Sequence, residues 1–301
     1  MKNMCSKPLV SVLLPSYNHE RYIERAIESV VNQDYPNIEL IVVDDGSSDE
    51  SVNVLKKISE KYNFELYLQK NEGLIKTLQK LISLSKGKYI SLFSSDDEYE
   101  GNKISTLVSY LENNPDYIMV YSKIYIIDQN SKIIAKVNEN YQLGYIFDNL
   151  LKGEFFINGV SGLYRKELFE EFDYDNEYID DYQLWLKIAY KYKIGFVNEY
   201  LARYRKHDNY MSGNILKMIS SEKRIIDKYK SHSTYHIARD AWNLKWFRAL
   251  AGVNKKEALK YLRVLNYKKM LLQKVFWISI IKFLLPKLFI DYIEKITKNV
   301  K

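Results

Sequence analysis

The sequence predicts an α/β fold: a mostly parallel central sheet flanked by helices, followed by a helical C-terminal region. Three observations carry this reading. Over the first 93 residues, short apolar β-branched runs alternate with stretches whose apolar residues fall at helical spacing, the pattern of right-handed crossovers between parallel strands. Three of those runs end in a cluster of polar residues. From Ile215 onward the composition turns helical and strongly basic.

Leu9–Leu14 (LVSVLL) reads as a buried strand ending at Pro15, with Tyr17–Asn18–His19 as the loop after it. In Glu20–Asn32, Tyr22, Ile23, Ala26, Ile27, Val30 and Val31 recur at helical spacing, and Pro36 stops the segment. Ile38–Val43 (IELIVV) is a second strand, and Asp44–Asp49 (DDGSSD) a loop leading into a helix over Glu50–Tyr62. Phe64–Leu68 is a third strand, Leu74–Ser85 a helix ended by Gly87, and Lys88–Phe93 a fourth strand running into Ser94–Asp97 (SSDD). Beyond Asp116 the pattern becomes α+β. Strands are expected over Tyr117–Tyr121 and Ile124–Ile127, a helix over Tyr145–Lys152, and an irregular strand over Phe156–Leu163. A strong helix over Asp180–Tyr192 and a strand over Ile194–Tyr204 complete a first region, residues 1–214, ahead of a basic helical region, 215–301.

Length and composition bound the function. A chain of 301 residues with 47% hydrophobic content can bury a sizeable core, which excludes a disordered or disulfide-built protein. A lone Cys5 permits no intrachain disulfide and fits a reducing compartment, and the short run Leu9–Leu14 does not read as a secretory signal. Charge is split along the chain. Residues 215–301 carry 20 Lys and Arg against 6 Asp and Glu, a net +14, while residues 1–214 carry a net −7. A basic third points to an anionic partner for the tail, and the acidic remainder argues against nucleic acid. A solvated helical surface accounts for the same charge equally well.

In open sheets of this kind, ligands sit beyond the C-terminal ends of the strands, where Pro15–Asn18, Asp44–Ser48 and Ser94–Asp97 all fall. Neither GxGxxG nor GxxxxGK[ST] is present, so the acidic loops suggest a phosphate group held through a divalent cation rather than a glycine cradle. Asp96–Asp97 supplies carboxylates for that, although a turn or helix cap is as common a use for such a pair. In Asp44–Asp45 one carboxylate can accept the N3–H of uracil with Tyr17 stacked on the ring, or cap the helix that follows.

Together the motifs resemble a known family. PLVSVLLPSYNHERYIERAIESVVNQDYPNIELIVVDDGSSDES is similar to the opening of the family 2 glycosyltransferases, whose sugar-nucleotide-binding core has the Rossmann-like GT-A fold. NEGLIKTLQKLISLSKGKYISLFSSDDEY resembles the family's Asn-x-Gly turn, helix and DxD-type strand end. IDDYQLWLKIAYKYKIGFVNEYLARYRKHDNYMS is similar to its acidic pair before a Leu-Trp-Leu helix and to its Tyr-Arg-x-His loop. The likeness ends near Gly213.

The resemblance implies a donor site and a base. Pro15, Tyr17 and Asp45 would line the nucleotide base and ribose. Asp96 and Asp97 would hold a divalent cation, Mn²⁺ or Mg²⁺, together with the donor diphosphate. His207 would approach that cation or diphosphate from the late loop, and Arg205 would add positive charge there. Of the acidic pair Asp180–Asp181, Asp181 would be the general base. Two positions depart from the pattern: Ser94 stands where the family usually has Asp, and Asp180 where it commonly has Glu. Neither removes the metal ligands or the base, so an active enzyme is expected.

The chemistry requires such residues. Displacing a nucleoside diphosphate from an anomeric carbon builds charge on the leaving group, which a cation offsets, while a carboxylate about 3 Å from the attacking hydroxyl takes its proton. One base and no assigned nucleophile imply a single displacement with inversion. The expected activity is therefore inverting transfer of a hexosyl or N-acetylhexosaminyl unit from a UDP-sugar to a saccharide hydroxyl. A nucleotide-sugar-binding protein with little or no turnover is the alternative that Ser94 motivates. A nucleotidyltransferase would need a glycine-rich basic loop after the first strand, and PSYNHE offers none. Read alone, Asp181 is an N-cap of its helix before it is a base; the surrounding motifs reverse that order.

Leu271–Ile290 (LLQKVFWISIIKFLLPKLFI) is the most apolar stretch, but Lys274, Lys282, Lys287 and Pro286 interrupt it. A lysine at a bilayer's centre costs about 3 kcal/mol, so an interfacial helix or helix pair is the better reading. Phe276 and Trp277 would then sit at the lipid boundary with lysines at the head groups; a helical subdomain packed on the core is the alternative. Resemblance to family 2 enzymes of bacterial surface-polysaccharide pathways implies a lipid-linked acceptor and peripheral attachment to the cytoplasmic face of the membrane.

Overall fold

The computed structural model describes residues 7–172, 174–175, 180–206, 215–266, 268, 271–272 and 274–286. The chain forms two compact units, Met1–Leu150 with Phe155–Met218, and Leu151–Glu154 with Ile219–Lys301.

In the first unit, β1 (Val10–Ser16), α1 (Ile23–Val31), β2 (Ile38–Asp44), α2 (Ser51–Lys61), β3 (Glu65–Leu68), α3 (Leu74–Leu84) and β4 (Tyr89–Leu92) follow the predicted alternation. β1 pairs in parallel with both β2 and β4, and β2 with β3. β1, β2 and β4 are largely buried on both faces, and their period of two divides the core. Val10, Val12, Leu14, Leu40 and Val42 pack with Ile23 and Ile27 of α1 and Leu55 and Ile58 of α2. Leu13, Ile41, Val43 and Ile90 pack on the other side against Leu81 of α3.

The rest of the sheet is mixed. It is built from β5 (Glu98–Tyr99), β6 (Tyr117–Ile127), β7 (Ile133–Lys136), β8 (Leu163–Arg165) and β9 (Lys193–Arg205), in the order β3-β2-β1-β4-β8-β6-β9-β5 with β7 on β6. β8 runs antiparallel between β4 and β6, β6 is parallel to β9, and β5 is antiparallel to β9. Helices α4 (Lys103–Asn113), α5 (Phe147–Lys152), α6 (Leu168–Glu171) and α7 (Asp180–Lys191) connect these strands.

Three departures from expectation have local causes. α4 was not anticipated, yet its Ile104, Leu107, Val108 and Leu111 are all buried in the same core as α1. β6 is one strand where two were expected, because a register shift at Ser122/Lys123 absorbs the break in alternation without ending the pairing to β9. Most of Phe156–Leu163 is not strand: Asn158 accepts the Val160 N–H at 3.1 Å and starts a 3₁₀ turn over Gly159–Ser161.

The second unit is helical, with α8 (Ile215–Asp227) from Ile219 onward, α9 (Tyr235–Leu250), α10 (Lys255–Leu262) and α11 (Lys274–Leu284). Trp242 of α9 meets Tyr261 at 5.4 Å between ring centroids, and Phe247 meets Phe283 at 5.8 Å. Glu222 of α8 accepts the Trp246 indole N–H at 2.7 Å and pairs with Lys245 at 2.6 Å. Phe276, expected at a lipid boundary, is buried instead, since residues 276, 279 and 283 share the side of α11 that turns toward α9. Trp277 is half exposed. No helix among the described residues is long and apolar enough to cross a membrane.

Candidate active site

β1, β2 and β4 run in one direction, so the loops after them emerge at one edge of the sheet. Hydrogen bonds tie those loops together. Asn18 adopts φ +54°, a left-handed conformation that a short polar side chain tolerates. Its N–H donates to Ser47 Oγ at 2.9 Å, and its Oδ1 accepts the Ser48 N–H at 2.8 Å. His19 donates its N–H to Ser51 Oγ at 3.0 Å, and its Nδ1 lies 2.7 Å from Ser95 Oγ in the loop after β4. Pro15 sits near the end of β1, past Leu13, the last residue paired with β4, where a missing N–H is tolerated. Tyr17 is 47% exposed, which leaves its ring accessible to a planar base.

Both carboxylates of Asp44–Asp45 are buried and hydrogen-bonded. Asp44 accepts the Ser47 N–H at 2.9 Å and the hydroxyls of Ser47 and Ser16 at 2.7 and 3.1 Å. Asp45 Oδ1 accepts from Gln69 Nε2 and the Glu72 N–H, both at 2.8 Å, and its Oδ2 from the Gly73 N–H at 2.9 Å. Neither caps α2, whose N-cap residue Glu50 makes no side-chain cap; Asp49, just ahead of it, accepts the Ser51 N–H at 3.0 Å. Asp45 thus anchors the Asn71–Gly73 turn, and any contact with a nucleotide base would use its remaining lone pairs.

After β4, Ser94 is exposed, Asp96 half-buried and Asp97 buried. Burial and the neighbouring Asp96 push the Asp97 carboxyl well above the usual carboxylate range. Its Oδ1 accepts the Arg205 N–H at 2.8 Å. Arg205, expected to bring positive charge to a diphosphate, has no exposed surface. Its Nε donates to the Asp96 carbonyl at 2.6 Å, one terminal nitrogen to the Asp128 carbonyl at 2.7 Å, and the other to Glu98 Oε1 at 2.5 Å and Ser131 Oγ at 3.1 Å. The guanidinium also lies 4.8 Å from the Tyr22 ring centroid. Its observed contacts tie the strand end carrying Asp96 and Asp97 to β9, because the planar fork meets four acceptors that surround it.

Asp181 opens α7 and is half-buried. Its Oδ1 accepts the Tyr182 N–H at 2.7 Å, and a Cβ built on Gly159 would stand 3.5 Å from its Oδ2. α7 is fixed behind it: Tyr182 donates its hydroxyl to the Leu150 carbonyl at 3.0 Å, Phe155 stacks on Tyr182 at 5.6 Å, and Trp185 donates its indole N–H to Tyr164 at 3.2 Å. Tyr164 pairs with Ile90, and Ser91 Oγ donates to the Gly162 carbonyl at 3.1 Å. That register sets the Gly159 turn, and Asp181 with it, beside the end of β4 from which Ser94–Asp97 emerges. The Asp180 side chain and His207 lie outside the described residues.

A hard divalent cation takes carboxylate oxygens, and the half-buried Asp96 fits that requirement better than Asp97, which is buried and already accepts a backbone N–H. Among the described residues no three His, Cys, Asp or Glu side chains cluster as a ready-made site, so diphosphate oxygens or His207 would have to complete a shell. Two side-chain roles escaped the sequence reading. His19 stands in the turn into α1, its carbonyl accepting the Tyr22 and Ile23 N–H groups, and its ring in addition bridges to the loop after β4; Lys103, fully buried at the start of α4, had one signal, an unfavourable place for a cation at a helix N-terminus.

Residues 11–173 match the family described as Glycosyl transferase family 2. A putative teichuronic acid biosynthesis glycosyltransferase of Bacillus subtilis is 27% identical over 241 residues, 78% of this chain and 93% of that one. S. aureus TarS 1–349 in complex with UDP-GlcNAc is 16% identical with a TM-score of 0.60, covering 87% of this chain and 78% of that one. The mannosyltransferase from Pyrobaculum calidifontis in complex with GDP-Man and Mn²⁺ is 15% identical, also with a TM-score of 0.60, covering 92% and 87%. At those identities the two structures speak for the fold, which is GT-A. The family match spans more than half of the residues, and the chain belongs to glycosyltransferase family 2.

Proposed function

We propose that this glycosyltransferase moves a hexosyl or N-acetylhexosaminyl unit from a UDP-sugar to a saccharide hydroxyl in one displacement that inverts the anomeric centre. The observation that carries the proposal is the position of Asp181, half-buried against the Gly159 turn beside the strand end that bears Asp96 and Asp97. An acceptor hydroxyl held at Asp181 gives its proton to the carboxylate as the bond to the anomeric carbon forms. On the donor side Tyr17 stacks on the base, Pro15 and Asp45 shape its pocket, and Arg205 keeps the Asp96–Asp97 strand end in place. A Mn²⁺ or Mg²⁺ ion, when bound, supplies Lewis-acid stabilisation of the departing diphosphate. Asp96 would hold it first, with Asp97 and His207 as further ligands.

TarS with UDP-GlcNAc and the mannosyltransferase with GDP-Man and Mn²⁺ support a nucleotide-sugar donor and a cation, and the B. subtilis relative supports a surface-polysaccharide acceptor. In this reading residues 1–214 carry catalysis, and the basic region 215–301 brings the enzyme to a lipid-linked acceptor at the cytoplasmic membrane face. Ser94, exposed where the family usually has Asp, favours a second reading in which the nucleotide sugar binds with little or no turnover.

One assay separates the two. With Mn²⁺, a UDP-sugar and a saccharide acceptor, the wild type should release UDP only when acceptor is present. Asp181→Asn should lose about 1,000-fold in kcat or more while binding UDP as before. Retention of most turnover rejects Asp181 as the base. Donor binding without acceptor-dependent UDP release in the wild type supports the second reading.

A further inference from the structure

We infer that Lys103 is a positioning residue for transfer, one that sets where the Asp181 carboxylate stands relative to the Ser94–Asp97 loop. The inference rests on Asp181 being the base.

Lys103 has no exposed surface, and among the described residues no carboxylate pairs with it. Burying an unpaired ammonium costs several kcal/mol, and the helix dipole at the start of α4 adds to that cost. What it gains is a set of short contacts. Nζ donates to Ser91 Oγ at 2.9 Å and to the Gly162 carbonyl at 3.2 Å, and it lies 3.9 Å from the Tyr99 ring centroid. Ser91 Oγ in turn meets the Tyr99 hydroxyl at 2.8 Å and the Gly162 carbonyl at 3.1 Å. Each of the four groups comes from a different element: β4, β5, α4 and the turn ahead of β8.

The sequence positions give the cluster its meaning. Ser91 lies just before Ser94, Tyr99 just after Asp97, and Gly162 just after Gly159, the residue that faces Asp181. Lys103 therefore braces both ends of the donor-side loop and the backbone of the turn behind the base. Stability alone does not call for a lysine here, because replacing a buried charge by an apolar side chain of similar volume is commonly neutral or stabilising. A bracket between two reacting partners does call for it, since a displacement of about 1 Å between base and donor can cost about 100-fold in rate.

Lys103→Met keeps length and volume and removes the donor. The expected result is a folded protein, equal to wild type in melting temperature or above it, that binds UDP as before. Its donor KM should stay within about twofold and its kcat should fall about 100-fold. A kcat within about threefold of wild type, measured beside an inactive Asp181→Asn, overturns the inference and leaves the base assignment standing. An active Asp181→Asn removes the base assignment and this coupling with it. Should Lys103→Met fail to fold, Ser91→Ala takes its place: it deletes one arm of the bracket, and a kcat loss of about tenfold at unchanged KM is expected, unchanged kcat being the overturning result.

Discussion

Gly46 holds the loop after β2 in a shape that no side chain would allow. Its φ is +75°, and a Cβ there would stand 2.7 Å from the Asn71 backbone nitrogen. Backbone, unlike a flexible side chain, cannot swing away. Gly46→Ala should therefore destabilise the fold by about 1–3 kcal/mol, read from urea unfolding, and weaken UDP binding through the displaced Asn71–Gly73 turn. Unchanged values for both would show that the turn relaxes freely. The neighbouring Asp45 illustrates the limit of reading residues locally. Its sequence context offered a base contact or a helix cap, whereas its partners Gln69, Glu72 and Gly73 lie more than twenty residues away and no short-range pattern points to them. Arg205 is similar: a basic residue in a Tyr-Arg-x-His loop reads as a phosphate ligand, and only the closing of β9 on β5 reveals it as buried.

Among the elements, those with a period were legible and those without one were not. β1 to β4 and α1 to α3 carry enough residues to display alternation or helical spacing, and their boundaries differ from expectation by a few residues at most. β5 has two residues, too few for any period, and its strand character comes entirely from pairing with Arg203 and Ala202. α4 did carry a period; it was missed because the chain after Asp97 looked like a continuation of the polar loop. Lys103 at its head makes a stability prediction. Burial alone pulls its ammonium well below the ordinary value of 10.5. Between that lowered pKa and 10.5 the unfolded chain binds more protons than the folded one, so this residue's contribution to stability rises with pH across the window. In unfolding measurements at rising pH below 10.5, wild type should gain on Lys103→Met as pH increases. A difference between the two that stays flat with pH would mean that the lysine does not titrate in that window.

At the scale of the molecule, the net −7 of residues 1–214 and the net +14 of residues 215–301 place acidic and basic character in different parts of one chain. α11 adds shape to the basic part. Trp277, Ile278, Ile281 and Leu284 are each about half exposed or more, and they recur at the spacing of one helical stripe, opposite the side that carries Phe276 and Ser279. A helix apolar on both sides but covered on one leaves a face for another apolar phase, and Lys274 and Lys282 in the same helix favour an anionic one. Each lysine near such a surface is worth about 1 kcal/mol, an attraction that salt weakens, while the stripe supplies a contribution that salt does not remove. The full chain should therefore sediment with phosphatidylglycerol vesicles and not with phosphatidylcholine vesicles, and added salt should reduce the bound fraction. Ile281→Glu should weaken that binding about tenfold or more without altering transfer to a soluble saccharide acceptor, since it changes the stripe and nothing at the active site. Equal sedimentation with both lipids would remove the charge argument. A lipid-free dimer dissociated by Ile281→Glu would assign the stripe to a second copy of the chain instead of a membrane.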